Sequence, residues 1–139
     1  MDSIRIDNGE KRICVNDDPS RVIVFNPSDI VFAEKFYNLI GNFETRLTEY
    51  QGRSAEIDAD KSTDGNGLPA NLGQRMALLR EACQYIRDQI DVLFGEGTSQ
   101  KVFEDVVAIE LFPQFFEQIT PFIQSARNDK IKKYTGGKK

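Results

Sequence analysis

Histidine is absent from the 139 residues, so Ser–His and Cys–His catalysis lack their base. The two cysteines, Cys14 and Cys83, stand far apart with no Cys-x-x-Cys spacing, and no histidine joins them as a metal ligand. Cys83 falls on an apolar helix face and reads as a reduced, buried thiol. There is no basic excess: the net charge is −4 and the pI near 4.9, against the positive face that a general nucleic-acid binder needs. The acidic balance is uneven, because Arg127, Lys130, Lys132, Lys133, Lys138 and Lys139 crowd the C-terminus. No apolar run approaches the roughly 20 residues of a membrane span. Met1-Asp2-Ser3-Ile4-Arg5 lacks the regions of a signal peptide, so the chain reads as soluble and cytoplasmic. Gly95-Glu96-Gly97 has neither the third glycine nor the preceding strand of a nucleotide loop. No internal repeat is visible. These absences leave a non-enzymatic protein with no cofactor as the expectation.

What is present is organised around Leu93-Phe94-Gly95-Glu96-Gly97-Thr98-Ser99-Gln100-Lys101-Val102-Phe103. An amphipathic helical pattern enters this stretch and an aromatic-rich one leaves it. Gly95 stands just past the last apolar position, where a left-handed C′ residue is wanted. Gly97 frees the backbone to reverse, and Thr98 or Ser99 suits the cap of a short turn. Phe94 and Phe103 flank the corner and are expected to pin it by packing beneath.

The remaining chain predicts an α+β domain, mainly α, over residues 1–129. Residues 1–25 read as an antiparallel meander. Ile4-Arg5-Ile6 alternates, Asn8-Gly9 carries a hairpin signal, Ile13-Cys14-Val15 alternates again, and residues 21–25 form a strand apolar enough to be covered on both faces. A helix over 26–59 has Asn26 as N-cap, Pro27 in its first position, Asp29 as capping-box acid, and a Phe25–Ile30 staple. Its stripe is Phe32, Phe36, Leu39, Ile40, Phe43, Leu47 and Tyr50. Gly41 within it is a weakness or a place of close helix approach. Residues 60–70 form a loop. In the helix over 71–94, Leu72, Met76, Leu79, Cys83, Ile86, Ile90 and Leu93 make a heptad seam. That seam predicts an antiparallel hairpin with the first helix, favoured by the short connection over its rival, a homotypic coiled coil. Phe36, Leu39, Phe43, Leu79, Cys83, Ile86 and Ile90 are the expected core. The corner spans 95–104 and a third helix 105–129, well formed from about Pro113 and kinked at Pro121. Residues 130–139 read as a disordered basic tail.

Two stretches invite a binding role. Asp60-Lys61-Ser62-Thr63-Asp64-Gly65 matches the start of a calcium loop, but position twelve is Asn71 where the closing glutamate belongs, and Gly67 replaces an apolar residue. A solvated linker is the expectation, and no metal site is assigned. The third helix carries Phe112, Phe115, Phe116 and Phe122, more rings than one stripe of about 100° buries. Either the helix is covered on two sides, or some of these rings face a partner.

The order Phe94-Gly95-Glu96-Gly97-Thr98, Lys101-Val102-Phe103, Phe115-Phe116-Glu117 and Ile119-Thr120-Pro121 resembles the small tail assembly chaperones of long-tailed phages and Gram-positive prophages. The strand–cap–helix passage over 22–37 is similar as well, and the 60–69 loop is not covered. The resemblance implies a non-catalytic protein that binds the tape measure protein and keeps it soluble. It would help tail tube subunits assemble and leave before the virion is complete. The acidic balance and the lack of an apolar span give no expectation of a nucleic-acid or membrane partner, and a homo-oligomer stays open. The resemblance also implies a programmed frameshift, for which Gly137-Lys138-Lys139 is the candidate slippery site. A structural head–tail or tail-completion protein retained in the particle is the alternative, and a regulatory helical adaptor outside any phage is a third reading.

Overall fold

Two strands and four helices follow one another among the described residues: β1 (Lys11–Val15), β2 (Asp18–Phe25), α1 (Ile30–Asp58), α2 (Leu72–Phe94), α3 (Thr98–Phe103) and α4 (Leu111–Thr135). The structure is a computed structural model and describes residues 1–59 and 61–135. The fold is α+β and mainly α.

β1 and β2 form a two-stranded antiparallel hairpin. Asn16 and Asp17 both take positive φ, +52° and +59°, as a two-residue primed turn requires, and short polar side chains tolerate that conformation best. The ladder pairs Val15 with Asp18 and then Cys14 with Val22, so residues 19–21 bulge out where Pro19 has no N–H to donate. The expected meander loses its first strand. Residues 1–10 join no strand, and Ile4 and Ile6 are exposed. β2 is covered on one face: Ile23 and Phe25 are buried while Val22 and Val24 are only half-buried.

The first helix begins later than its sequence signals suggest. Asp29 is the N-cap, its carboxylate accepting from the Val31 N–H at 2.9 Å. Asn26 instead forms a turn, its side-chain oxygen accepting from the Ser28 N–H and its carbonyl from the Asp29 N–H. Ile30 is exposed, so no staple forms, and Phe25 stacks on Phe32. The turn residues compete for the same backbone donors as a cap, and the buried Pro27 fits the turn. Gly41 is exposed, with nothing within 4 Å of where a Cβ would stand, which rules out a close helix approach there.

α1 and α2 form the antiparallel hairpin. Arg53 pairs with Glu81, Arg75 with Asp58, and Arg46 lies over the Tyr85 ring. The seam is buried at Cys83, Ile86 and Ile90 but opens toward the loop: Leu79 is half-buried, Met76 is exposed, and Leu78 takes the buried position. The buried position near the loop end thus shifts by one residue, from Leu79 to Leu78. Asn71 ties that end by donating to the Ile57 carbonyl at 2.8 Å.

α4 starts at Leu111, with Pro113 in its first turn, and runs to Thr135. The expected tail therefore starts at least six residues too early, and the slippery-site residues Gly137-Lys138-Lys139 lie outside the described residues. All ten phenylalanines form one connected aromatic core drawn from β2, α1, α2, α3 and α4. No helix among the described residues is long and apolar enough to cross a membrane.

A candidate binding groove beside the corner

The corner is pinned from beneath by Phe94. Its ring lies 5.2 Å from Phe32, 5.8 Å from Phe25, 6.2 Å from Phe36 and 5.2 Å from Phe115, joining β2, α1 and α4 at one point. Gly95 takes φ +117° and ψ 148°, a region essentially reserved to glycine rather than the left-handed helical one expected. Gly97, at φ +88°, is the N-cap of α3. The corner turns through two different glycine conformations. Gly95→Ala is expected to destabilise the fold by about 1 kcal/mol or more in chemical denaturation, whereas Gly41→Ala, inside α1 with open space around it, is expected to stabilise it by about 0.5–1 kcal/mol.

Thr98 and Ser99 do not cap the turn with their own side chains. Both are buried, and Asp91 of α2 caps α3 instead. Its carboxylate accepts from the Ser99 N–H at 2.7 Å and from the Ser99 hydroxyl at 3.0 Å. The other end of α3 is held by two arginines. Arg21 of β2 donates to the Lys101 and Val102 carbonyls at 2.7 and 3.0 Å and pairs with the Glu104 carboxylate at 3.4 Å. Arg87 of α2, only 9% exposed, donates to the Glu104 carbonyl at 2.7 Å, the Gln100 side-chain oxygen at 3.0 Å and the Val106 carbonyl at 3.4 Å. Glu104 is thereby fixed at φ +54°, a strained conformation for a residue with a Cβ that persists because its surroundings hold it.

These contacts set the lip of an open groove of 310 Å³ between the strand hairpin and α4. Ile13, Val15 and Ile23 line one wall, Leu111, Phe115 and Ile119 the other, and Val106 stands at the lip, 56% exposed. Arg21, Glu104, Gln114 and Gln118 supply polar groups around the apolar lining. A small apolar cleft with a few polar groups suits apolar side chains presented by a larger molecule.

The four rings expected to face a partner do not form that surface. Phe112, Phe115 and Phe116 are buried, and Phe122 is half-buried with its edge against Phe25. The helix is covered on two sides: Phe43 meets Phe112 and Phe116 from α1, while Phe103 meets Phe112 and Phe115 from α3. Only Phe115 also lines the groove.

Of the suggested calcium loop, Asp60 lies outside the described residues. Asp64 is engaged within the loop, its carboxylate accepting from the Asn66 and Leu68 N–H groups at 2.8 and 3.0 Å. Among the described residues no group of three or more histidine, cysteine, aspartate or glutamate side chains is placed to hold a metal. Burial and the nearby Glu110 charge push the Cys83 thiol up, keeping it protonated at neutral pH.

Arg21, Asp91 and Arg87 carry the geometry of the corner, and sequence reasoning passed over all three. For Arg87 a signal exists: it lies four residues after Cys83 and three before Ile90, so it shares their apolar face. A model of one protein family, described as a family of unknown function (DUF6673), matches residues 21–139. No curated protein and no solved structure matches the chain.

Proposed function

The chain belongs to the DUF6673 family of unknown function, and we propose that it is a non-catalytic tail assembly chaperone of a phage or prophage, working in the bacterial cytoplasm. It binds the tape measure protein and promotes assembly of tail tube subunits around it. The observation that carries this reading is the open apolar groove between the strand hairpin and α4. The resemblance of the corner and of the passage over 115–121 to such chaperones supplies the partner's identity.

The groove accepts apolar side chains projecting from the partner, as an amphipathic helix presents them at three- and four-residue spacing. Its volume suits a few anchoring side chains and not a whole helix. Arg87 and Arg21 keep the lip in shape before the partner arrives, which reduces the ordering cost of binding. The acidic body keeps the complex in solution while apolar segments are covered.

Co-expression with the cognate tape measure protein tests this. A soluble complex is expected with the natural chain. Val106→Asp places a charge at an exposed position of the lip and is expected to leave the fold intact while returning the tape measure protein to the insoluble fraction. Aggregation of that protein whether or not the natural chain is present would overturn the proposal. So would recovery of this chain as a stoichiometric component of purified virions.

A further inference from the structure

The N-terminal segment and the groove are complementary, yet the structure keeps them apart. Ile4 and Ile6 are 83% and 78% exposed. The chain does not reverse at Asn8-Gly9 but runs on past the end of β2. There the Asn26 side chain donates to the Asn8 carbonyl at 2.9 Å. Gly9, at φ +90°, lies so close to Ser28 that a Cβ would stand 2.7 Å from the Ser28 Cβ. Asp7 and Asn8 accept from the Gly9 and Glu10 N–H groups, each at 3.0 Å. These contacts fasten residues 8 and 9 beside the end of β2, and the arm before them joins no strand of its own hairpin.

The hairpin meanwhile has one open edge. β2 is flanked by α3, with the Lys101 ammonium on the Val22 carbonyl at 3.1 Å. No strand among the described residues pairs with the outer edge of β1. Ile13 and Val15 on that strand line the groove. An open edge beside an apolar cleft is a template for one more strand.

We infer that the arm of one copy adds as an antiparallel strand to β1 of a second copy, with Ile4 and Ile6 entering the groove. The register follows from chemistry. Ile4 opposite Val15 and Ile6 opposite Ile13 keeps all four side chains on the groove face, and a slip of one residue turns both isoleucines outward. In this register Asp7 stands opposite Arg12, an attractive pair, and Arg5 stands opposite Cys14. The pairing maps onto itself when the copies are exchanged. Two arms therefore fill two grooves at once, and the assembly closes as a twofold dimer. The inference shares the groove with the proposed function but does not depend on who the partner is. A partner's apolar segment and the arm compete for one cleft, so dimerisation protects the groove until a partner displaces the arm.

Sedimentation and cysteine trapping test this on the full chain. The natural protein is expected at twice the 15.8 kDa chain mass. Ile4→Asp with Ile6→Asp, both at exposed positions of the single chain, is expected to raise the dimer dissociation constant about a hundredfold with an unchanged circular dichroism spectrum. Directly opposed residues have Cα separations of about 4.5–5.5 Å, within disulfide reach. Arg5→Cys is therefore expected to form an interchain bridge with Cys14, which is exposed whereas Cys83 is buried. A monomeric natural protein overturns the inference. So does an Arg5→Cys protein that bridges within one chain or forms no bridge. A dimer that persists unweakened in the double variant places the interface elsewhere and overturns it too. Each reading uses this chain alone, so failure here leaves the co-expression result separate.

Discussion

Phe36→Ala is expected to lower the unfolding free energy by about 3–5 kcal/mol. Phe36 is fully buried, and its ring meets Phe32 at 6.3 Å, Phe94 at 6.2 Å and Phe116 at 6.0 Å. Truncation removes its transfer free energy and opens a cavity where α1, α4 and the corner converge. Close packing keeps the neighbouring rings from collapsing into that space. Edge-to-face pairs contribute a further ~0.5–1.5 kcal/mol beyond area. Urea unfolding followed by circular dichroism checks this, with a lower midpoint and an unchanged slope expected. Asn38→Ala, two positions along on the exposed face, is the control and is expected to stay within about 0.5 kcal/mol.

The second large effect is expected at Arg87. Among the described residues its buried guanidinium bonds neutral groups: the carbonyls of Glu104 and Val106 and the side-chain oxygen of Gln100. Hydrogen bonds from a charged donor contribute about 1.5–3 kcal/mol each. Arg87→Met keeps much of the packing against Phe103 and removes the donors, leaving partly buried carbonyls unpaired. A loss of about 3 kcal/mol is expected, because desolvating the arginine offsets part of the gross contribution. Arg87→Lys restores the charge without the planar fork and is expected to recover less than half of the loss. Hydrogen exchange distinguishes this from a general weakening. Amides over 104–110 are expected to lose protection first, since that segment depends on the fork and on Arg21.

The long helices were legible because their apolar stripes recur over many turns, as Phe32-Phe36-Leu39-Phe43 and Cys83-Ile86-Ile90 do. The corner was legible because Gly95 and Gly97 mark backbone conformations that few residues adopt, and both have positive φ. Tertiary competition hid the rest. Asn8-Gly9 carries a hairpin signal, but contacts with Asn26 and Ser28 hold it in another path. Asn26 and Asp29 both suit a helix start, and the turn that buries Pro27 decides between them. The rings of α4 exceed one stripe because a second face is covered, which no count along α4 alone discloses. Arg21, Asp91 and Arg87 act across 8 to 81 residues of sequence, so no local pattern announces their partners. The groove follows from those contacts and was correspondingly invisible.

On the proposed function, this groove is the surface that takes the partner's apolar side chains. Amide hydrogen exchange of the protein alone and in complex with the co-expressed tape measure protein tests it most directly. The account predicts new protection in β1, at the 104–110 lip and in the first two turns of α4, with the outer face of the α1–α2 hairpin unchanged. Protection confined to the α1–α2 hairpin, with β1 and the lip exchanging as in the free protein, would contradict it.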